Sequence, residues 1–150
     1  MILDVNVLLY ATHSSSPHHH DSAAWLEAAL VGDRRVGIPW QTVGAFVRIA
    51  THARVMERPL TTAQAWAAVD SWFAVPVVWM PPATERTARI LKSLMLDHHL
   101  GSSMTTDAQL AALAIEHGVA VVSADTDFAR FPGLTWINPL NLRIGTANGS

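Results

Sequence analysis

Residues 1–10 read Met1-Ile2-Leu3-Asp4-Val5-Asn6-Val7-Leu8-Leu9-Tyr10, an apolar run broken by one carboxylate and one amide. The opening residues read as a short buried strand ending near its acid, and Val7-Leu8-Leu9-Tyr10 continues into a helical turn. Four more short apolar segments follow the same pattern: Arg35-Val36-Gly37-Ile38, Val77-Val78-Trp79, Val119-Ala120-Val121-Val122 and Leu134-Thr135-Trp136-Ile137. Helical patterns lie between them. One runs from Asp21-Ser22 through Trp25, Leu26, Ala29 and Leu30 to Gly32, and Pro39 fits the first turn of the next, which passes Phe46 and Ile49. Thr61-Thr62 caps a third, which carries Trp66, Val69 and Phe73 and ends before Pro76. A fourth starts near Thr84 with Ile90, Leu91 and Leu94 on its apolar face, and a fifth runs from Thr106 to His117 before Gly118. His13–His20 reads as a loop, and Gly145–Ser150 as a frayed polar tail following one domain over 1–144. Wholly apolar strands alternating with helices predict a parallel sheet covered on both faces, a three-layer α/β/α sandwich.

Composition narrows the chemistry. The 150 residues are 50% hydrophobic and 15% charged, which excludes a disordered chain and suits one globular core. There is no cysteine, so disulfides, thiolate zinc sites and thiol nucleophiles are all excluded. No apolar run reaches membrane-spanning length, and no basic segment precedes the apolar start as in a secretory leader, so a cytoplasmic protein is expected. The formal net charge of −2 gives no overall basic character that would by itself signal nucleic-acid binding.

The acids are placed more tellingly. Asp4 and Asp125 each stand at the carboxyl end of an expected strand. Asp107 heads the buried stripe of its helix, on the face it shares with Leu110, Ala111 and Ala114. Each has an ordinary explanation. An acid in a first helical turn serves the helix dipole, and Asp125 and Asp127 fit a turn. The helix period leaves open whether Asp107 lies at the same sheet edge as the other two. If they converge, two carboxylates about 4 Å apart oppose each other by roughly 4 kcal/mol at an effective dielectric of 20. An oxygen-only cluster of that kind calls for Mg²⁺ or Mn²⁺, and the chemistry it suggests is metal-assisted phosphodiester hydrolysis.

The segments carrying these acids resemble those of PIN-domain ribonucleases, and more specifically the VapC toxins of VapBC toxin–antitoxin pairs. They are residues 1–10, Phe46-Val47-Arg48-Ile49-Ala50-Thr51, Thr106-Asp107-Ala108-Gln109-Leu110-Ala111-Ala112-Leu113-Ala114, and 123–134 beginning Ser123-Ala124-Asp125-Thr126-Asp127-Phe128. Together they span nearly the whole chain. The resemblance implies that Asp4, Asp107 and Asp125 meet in a catalytic pocket holding Mg²⁺ or Mn²⁺. In it Asp4 and Asp107 are the principal ligands, Asn6 and Ser123 orient the first acid, and Asp127 is a lesser partner able to exchange roles with Asp125. It further implies a toxin that cleaves structured RNA, such as a tRNA or rRNA loop, to leave 3′-hydroxyl and 5′-phosphate ends. Its partners would be a VapB-type antitoxin, inserting a basic side chain into the acid pocket, and a second copy in a homodimer. One position departs from the family: a glutamate common before the Phe-hydrophobic-Arg segment is Ala45 here. That predicts weaker metal binding, with one ion rather than two.

Two other readings compete. An aspartyl-phosphate phosphohydrolase resembling the haloacid dehalogenase class would use Asp4 as nucleophile. It wants a second acid where this chain has Asn6 and a phosphate-binding lysine where it has only Lys92. A catalytically weak or silent PIN-like module that binds RNA or a partner is motivated by Ala45. Of the remaining residues, His18-His19-His20, His98-His99 and His117 read as loop or helix-end residues rather than metal ligands. Trp25, Trp66 and Trp72 read as core, with one or two tryptophans available for a subunit interface. Arg48, Arg54, Arg86, Arg89 and Arg130 are candidates for RNA phosphates or for ordinary ion pairs.

Overall fold

The computed structural model describes residues 1–141; the tail expected at 145–150, and the end of the domain expected over 1–144, lie outside them. In chain order the elements are β1 (Ile2–Leu3), α1 (Val5–Thr12), α2 (His19–Val31), β2 (Val36–Gly37), α3 (Trp40–Ala50), α4 (Thr62–Phe73), β3 (Val78–Trp79), α5 (Glu85–Asp97), α6 (Thr105–His117), β4 (Val121–Val122) and β5 (Trp136–Ile137). Single 3-10 segments lie at Ser102–Met104 and Thr126–Arg130. The strands form one sheet in the order β3-β2-β1-β4-β5, and every pairing is parallel.

Alternation within the strands builds the three layers. Leu3, Val36, Ile38 and Val122 point into a core shared with Leu8, Leu26, Phe46, Val69 and Trp72, from α1 to α4. Ile2 and Val121 point the other way, toward Leu94, Ala111, Leu113 and Phe128, from α5, α6 and the segment after β4. The sheet is therefore covered on both faces, which explains why its strands carry no solvent-facing polar alternation. Gly37 sits at a close approach: a Cβ there would lie 3.1 Å from the Met1 carbonyl oxygen and 3.2 Å from Ile2 Cγ1.

Local chemistry sets the helix ends. Thr61 caps α4 reciprocally with Gln64, its hydroxyl accepting from the Gln64 N–H at 3.1 Å while its own N–H donates to Gln64 Oε1 at 2.9 Å. Thr84 caps α5, and the Thr84 and Thr87 hydroxyls both donate to Glu116, tying the start of α5 to the end of α6. Gly118 closes α6 in the left-handed region, at φ 65°.

Several boundaries differ from the sequence reading. The helix after Asp4 is a full α1 reaching Thr12, because the Asp4 carboxylate accepts the Val5 N–H and starts it at once. α2 begins at His19, inside the expected loop, and Pro39 caps α3 from outside rather than sitting in its first turn. Trp72 is buried and Trp25 packs against the core, but Trp66 is 42% exposed, so the core reading fails for that residue.

The chain runs from β1 outward to β2 and β3, then returns to place β4 on the other side of β1. The switch in strand order thus falls between β1 and β4, and in open α/β sheets the crevice beyond the carboxyl ends at that point is where ligands bind. Phe46 is fully buried and meets Trp72 edge-on with ring centroids 4.9 Å apart. Phe46→Ala is expected to lower the unfolding free energy by about 3–5 kcal/mol, as read from a urea titration.

Candidate metal centre

Asp4 follows β1 and Ser123 follows β4, so the parallel register of Leu3 with Val122 sets them side by side at the switch point. They bond directly: the Ser123 hydroxyl, fully buried, donates to Asp4 Oδ2 at 2.7 Å. That hydroxyl also accepts from Asn6 Nδ2 at 2.9 Å and from the Asp125 N–H at 3.0 Å, so its one donor and both lone pairs are used. Asn6 completes the bridge, its Nδ2 donating to Asp4 Oδ2 at 3.1 Å and its Oδ1 accepting the Ala124 N–H at 3.1 Å. Trp136 in β5 donates its indole N–H to the Ser123 carbonyl at 2.9 Å, which holds the next strand to the same corner.

The remaining acids come from two further segments. Asp125 caps the 3-10 turn after β4, its Oδ1 accepting the Asp127 N–H at 2.9 Å. Asp107 lies in the first turn of α6, and Leu110, Ala111 and Ala114 beyond it are buried as the helix period requires. Asp107, Asp125 and Asp127 each offer a ligand oxygen, and these atoms lie within 4.8 Å of one another. Asp4 is not in that tight trio but adjoins it, close enough for its charge to act on Asp107. Sequence reasoning ranked Asp127 below Asp125, whereas the structure gives both a place in the trio. The signal was available, because an acid two residues past a turn cap is brought back by the turn.

Electrostatics report the crowding. Burial pushes the Asp107 carboxyl up to about 6, and the charges of Asp125, Asp4 and Asp127 add to the push. Burial also raises Asp4; the Ser123 hydroxyl and the Val5 N–H oppose that, and Asp125 reinforces it. Among the described residues, the cation that pairs with the group is Arg130, whose Nη1 lies 3.9 Å from Asp127 Oδ1 in a well-exposed pair, too weak to neutralise it. The donor set is entirely carboxylate oxygen, which fits a hard divalent ion such as Mg²⁺ or Mn²⁺.

Other sequence candidates fall elsewhere. His19 Nδ1 lies 2.9 Å from the Tyr10 carbonyl and His117 Nε2 2.9 Å from the Pro82 carbonyl, so both are engaged at helix ends. Arg89 pairs loosely with Glu85 at 3.9 Å on an exposed face of α5. Ala45 lies in α3 one turn after Thr42, whose hydroxyl donates to the Leu3 carbonyl at 2.9 Å. The helix therefore passes beside Asp4 with a methyl at position 45 and no acid.

Comparison with known proteins agrees with this geometry. The PIN domain family model matches residues 1–134. Ribonuclease VapC37 of Mycobacterium tuberculosis is 44% identical over 138 residues, covering 92% of this chain and 96% of that protein. Ribonuclease VapC33 of the same organism is 41% identical over 140 residues, covering 93% and 98%. Among solved structures, the fold matches a chain of VapBC2 from Rickettsia felis bound to a promoter DNA fragment. The TM-score is 0.67 at 15% identity, over 91% of this chain and 96% of that one. It also matches FitAcB from Neisseria gonorrhoeae, with TM-score 0.66 and 20% identity, over 94% and 99%. With a parallel sheet switching at β1/β4, an acid cluster at that switch and relatives of this similarity over nearly its full length, the chain belongs to the PIN-domain family, on its VapC ribonuclease branch.

Proposed function

We propose that the protein is the toxin of a toxin–antitoxin pair and acts as a metal-dependent endoribonuclease on structured RNA with an exposed single-stranded loop. The observation that carries this reading is the gathering of Asp107, Asp125 and Asp127 beside Asp4 at the switch of a parallel sheet, where Arg130 is the one loosely paired cation among the described residues. Asp4 and Asp107 would be the principal ligands of Mg²⁺ or Mn²⁺, with Asp125 and Asp127 completing the oxygen set. A bound ion of this kind supplies an acidified water and neutralises charge on the scissile phosphate.

The chain's own groups do the positioning. The Ser123 hydroxyl and the Asn6 amide both engage Asp4 Oδ2, which leaves the carboxylate one orientation. Asp107, whose carboxyl burial and the neighbouring charges push up to about 6, would lose that raised proton affinity when a cation enters. Arg130, which pairs loosely with Asp127, would meet a phosphate of the incoming strand. The aspartyl-phosphate alternative gains no support, because Asn6, which stands where that chemistry wants a second acid, is committed to the bridge with Asp4, Ser123 and Ala124. The silent-module alternative rests on Ala45 alone. A VapB-type antitoxin would act by placing a basic side chain among the acids, and a homodimer and a cytoplasmic setting accompany this reading. Among the described residues no helix is long and apolar enough to cross a membrane.

The purified protein should cut RNA with Mn²⁺ and lose cutting in EDTA, in Asp4→Asn and in Asp107→Asn, with circular dichroism unchanged. Retained cutting by both variants would remove the acids from catalysis. Ala45→Glu should tighten Mn²⁺ binding several-fold by calorimetry; unchanged or weaker affinity means that position 45 does not face the ion.

A third test reads the repulsion directly. A carboxyl whose folded pKa is raised binds its proton more tightly folded than unfolded. The contribution of Asp107 to metal-free stability is therefore greatest below the ordinary carboxyl range, falls as pH rises to about 6, and stays reduced above that. Asp107→Asn removes the penalty. Because Asp107 is only half-buried, the gain is screened to about 1 kcal/mol, or a melting temperature roughly 2–4 °C higher at pH 7.5 without metal. The gain should vanish below about pH 4, and added Mg²⁺ should stabilise the unsubstituted protein more than the variant.

A further inference from the structure

The acids follow the strands, and the opposite end of the sheet carries charge of the other sign. Because every pairing is parallel, the residues that precede the strands share one edge, away from the acids. Met1 precedes β1 and Asp4 follows it, so about 10 Å of extended chain separates the two edges. At the amino edge a cavity of about 670 Å³ crosses the starts of β2, β1, β4 and β5, with Arg34, Arg35, Ile115, Val119 and Thr135 in its wall. An extension of about 440 Å³ opens beside Arg34 against Trp25 and Ala29 of α2. A volume of this size suits a small organic ligand, whose sites join an apolar wall to a few polar groups.

The two arginines supply the polar groups. Both are exposed, and neither pairs with a carboxylate among the described residues, where the ion pairs are those of Arg89 and Arg130. Their backbone is fixed at the entry to β2: the Met1 nitrogen donates to the Arg35 carbonyl at 3.0 Å, and the Val36 N–H donates to the Val77 carbonyl at 2.9 Å. The Arg35 guanidinium lies 4.1 Å from the centre of the Trp79 ring. Stacking uses its face and leaves the N–H groups of its edge to fork onto oxygens. Burial lowers the proton affinity of the Met1 ammonium, and the charges of Arg34 and Arg35 lower it further, so both guanidinia act on one point. At the end of α6, the Ala114 and Ile115 carbonyls are taken up by the N–H groups of Val119 and Gly118.

Two guanidinia without a counter-ion match a dianion better than a single carboxylate. A phosphate monoester carries a charge of about −1.5 to −2 at pH 7 and offers three oxygens to the forks, whereas each diester of a nucleic-acid backbone carries one charge. We propose that the amino-edge cavity binds a phosphate monoester of nucleotide size, its phosphate held by Arg34 and Arg35 and its less polar body lying against Ile115 and Val119. Two sources carry that group, a free nucleotide and the 5′-phosphate end of an RNA chain, and the test separates them. The proposal stands apart from the ribonuclease reading, since none of the acids lines this cavity.

The test is calorimetry in EDTA with AMP, with adenosine, and with one short single-stranded RNA bearing either a 5′-phosphate or a 5′-hydroxyl. AMP should bind the parent and Asp107→Asn alike, and adenosine about tenfold or more weakly. Arg34→Gln and Arg35→Gln should each weaken AMP binding about tenfold with circular dichroism unchanged, and Arg35→Lys, which keeps the charge without the fork, should fall between. A preference for the 5′-phosphorylated RNA, with AMP competing, supports the proposal with an RNA end as the source; AMP binding without that preference supports it with a free nucleotide. The proposal is overturned if AMP binds no more tightly than adenosine, or if both glutamine variants hold AMP as the parent does. It is overturned too if Asp107→Asn abolishes AMP binding, which would place the nucleotide at the acid corner. Equal binding of the two RNAs, lost equally in the arginine variants, would make the site a contact for backbone diesters and overturn it as well.

Discussion

Like charges do not gather unless a scaffold makes them. Three carboxylates gather at one corner here, with Asp4 adjoining, because a parallel sheet aligns the ends of β1 and β4, a turn brings Asp127 back toward Asp125, and α6 begins at the same edge. The repulsion appears as the raised affinity of Asp107 for a proton. Hydrophobic burial on both sheet faces supplies what offsets it, since Ile2, Leu3, Val121 and Val122 are all fully buried directly beneath the acids. The repulsion among the acids is thus a local destabilisation carried on fully buried strands.

The fold was legible because its strands are short and wholly apolar. Val36, Val78, Val121 and Trp136 were each assigned to a strand from local pattern, and parallel pairing followed from the helices between them. Helix starts were less legible. The helix following Asp4 was hidden because Val5-Asn6-Val7 looks like strand continuation, and only the carboxylate's bond to the Val5 N–H shows where the change occurs. Placement of Asp107 beside Asp4 is a tertiary fact about where α6 starts, one that neither period nor propensity encodes; the family resemblance supplied it. Trp40, which is 70% exposed, could not be told from a core tryptophan by sequence, since exposure depends on what packs over the first turn of α3.

The acid corner is also asymmetric. Asp4 is fixed by three hydrogen bonds, whereas Asp107 accepts none among the described contacts, and burial and its neighbours push its carboxyl up to about 6. A rigid oxygen beside a looser one suits a cation that demands near-octahedral geometry yet must exchange its waters for substrate oxygens. α3 itself carries no acid, position 45 being alanine.

The two-residue strands have a consequence for folding fidelity. A ladder of two rungs has little power to choose its own register, and a slip by one residue would turn Leu3 and Val122 to the wrong layer. The Asn6 amide reaches Asp4, Ser123 and Ala124 together, so it can close only when β1 and β4 are correctly aligned. The bridge that orients an acid therefore also proofreads the central strand pair: a misthreaded sheet would leave an amide and a hydroxyl stranded in the interior, and the corner would not assemble.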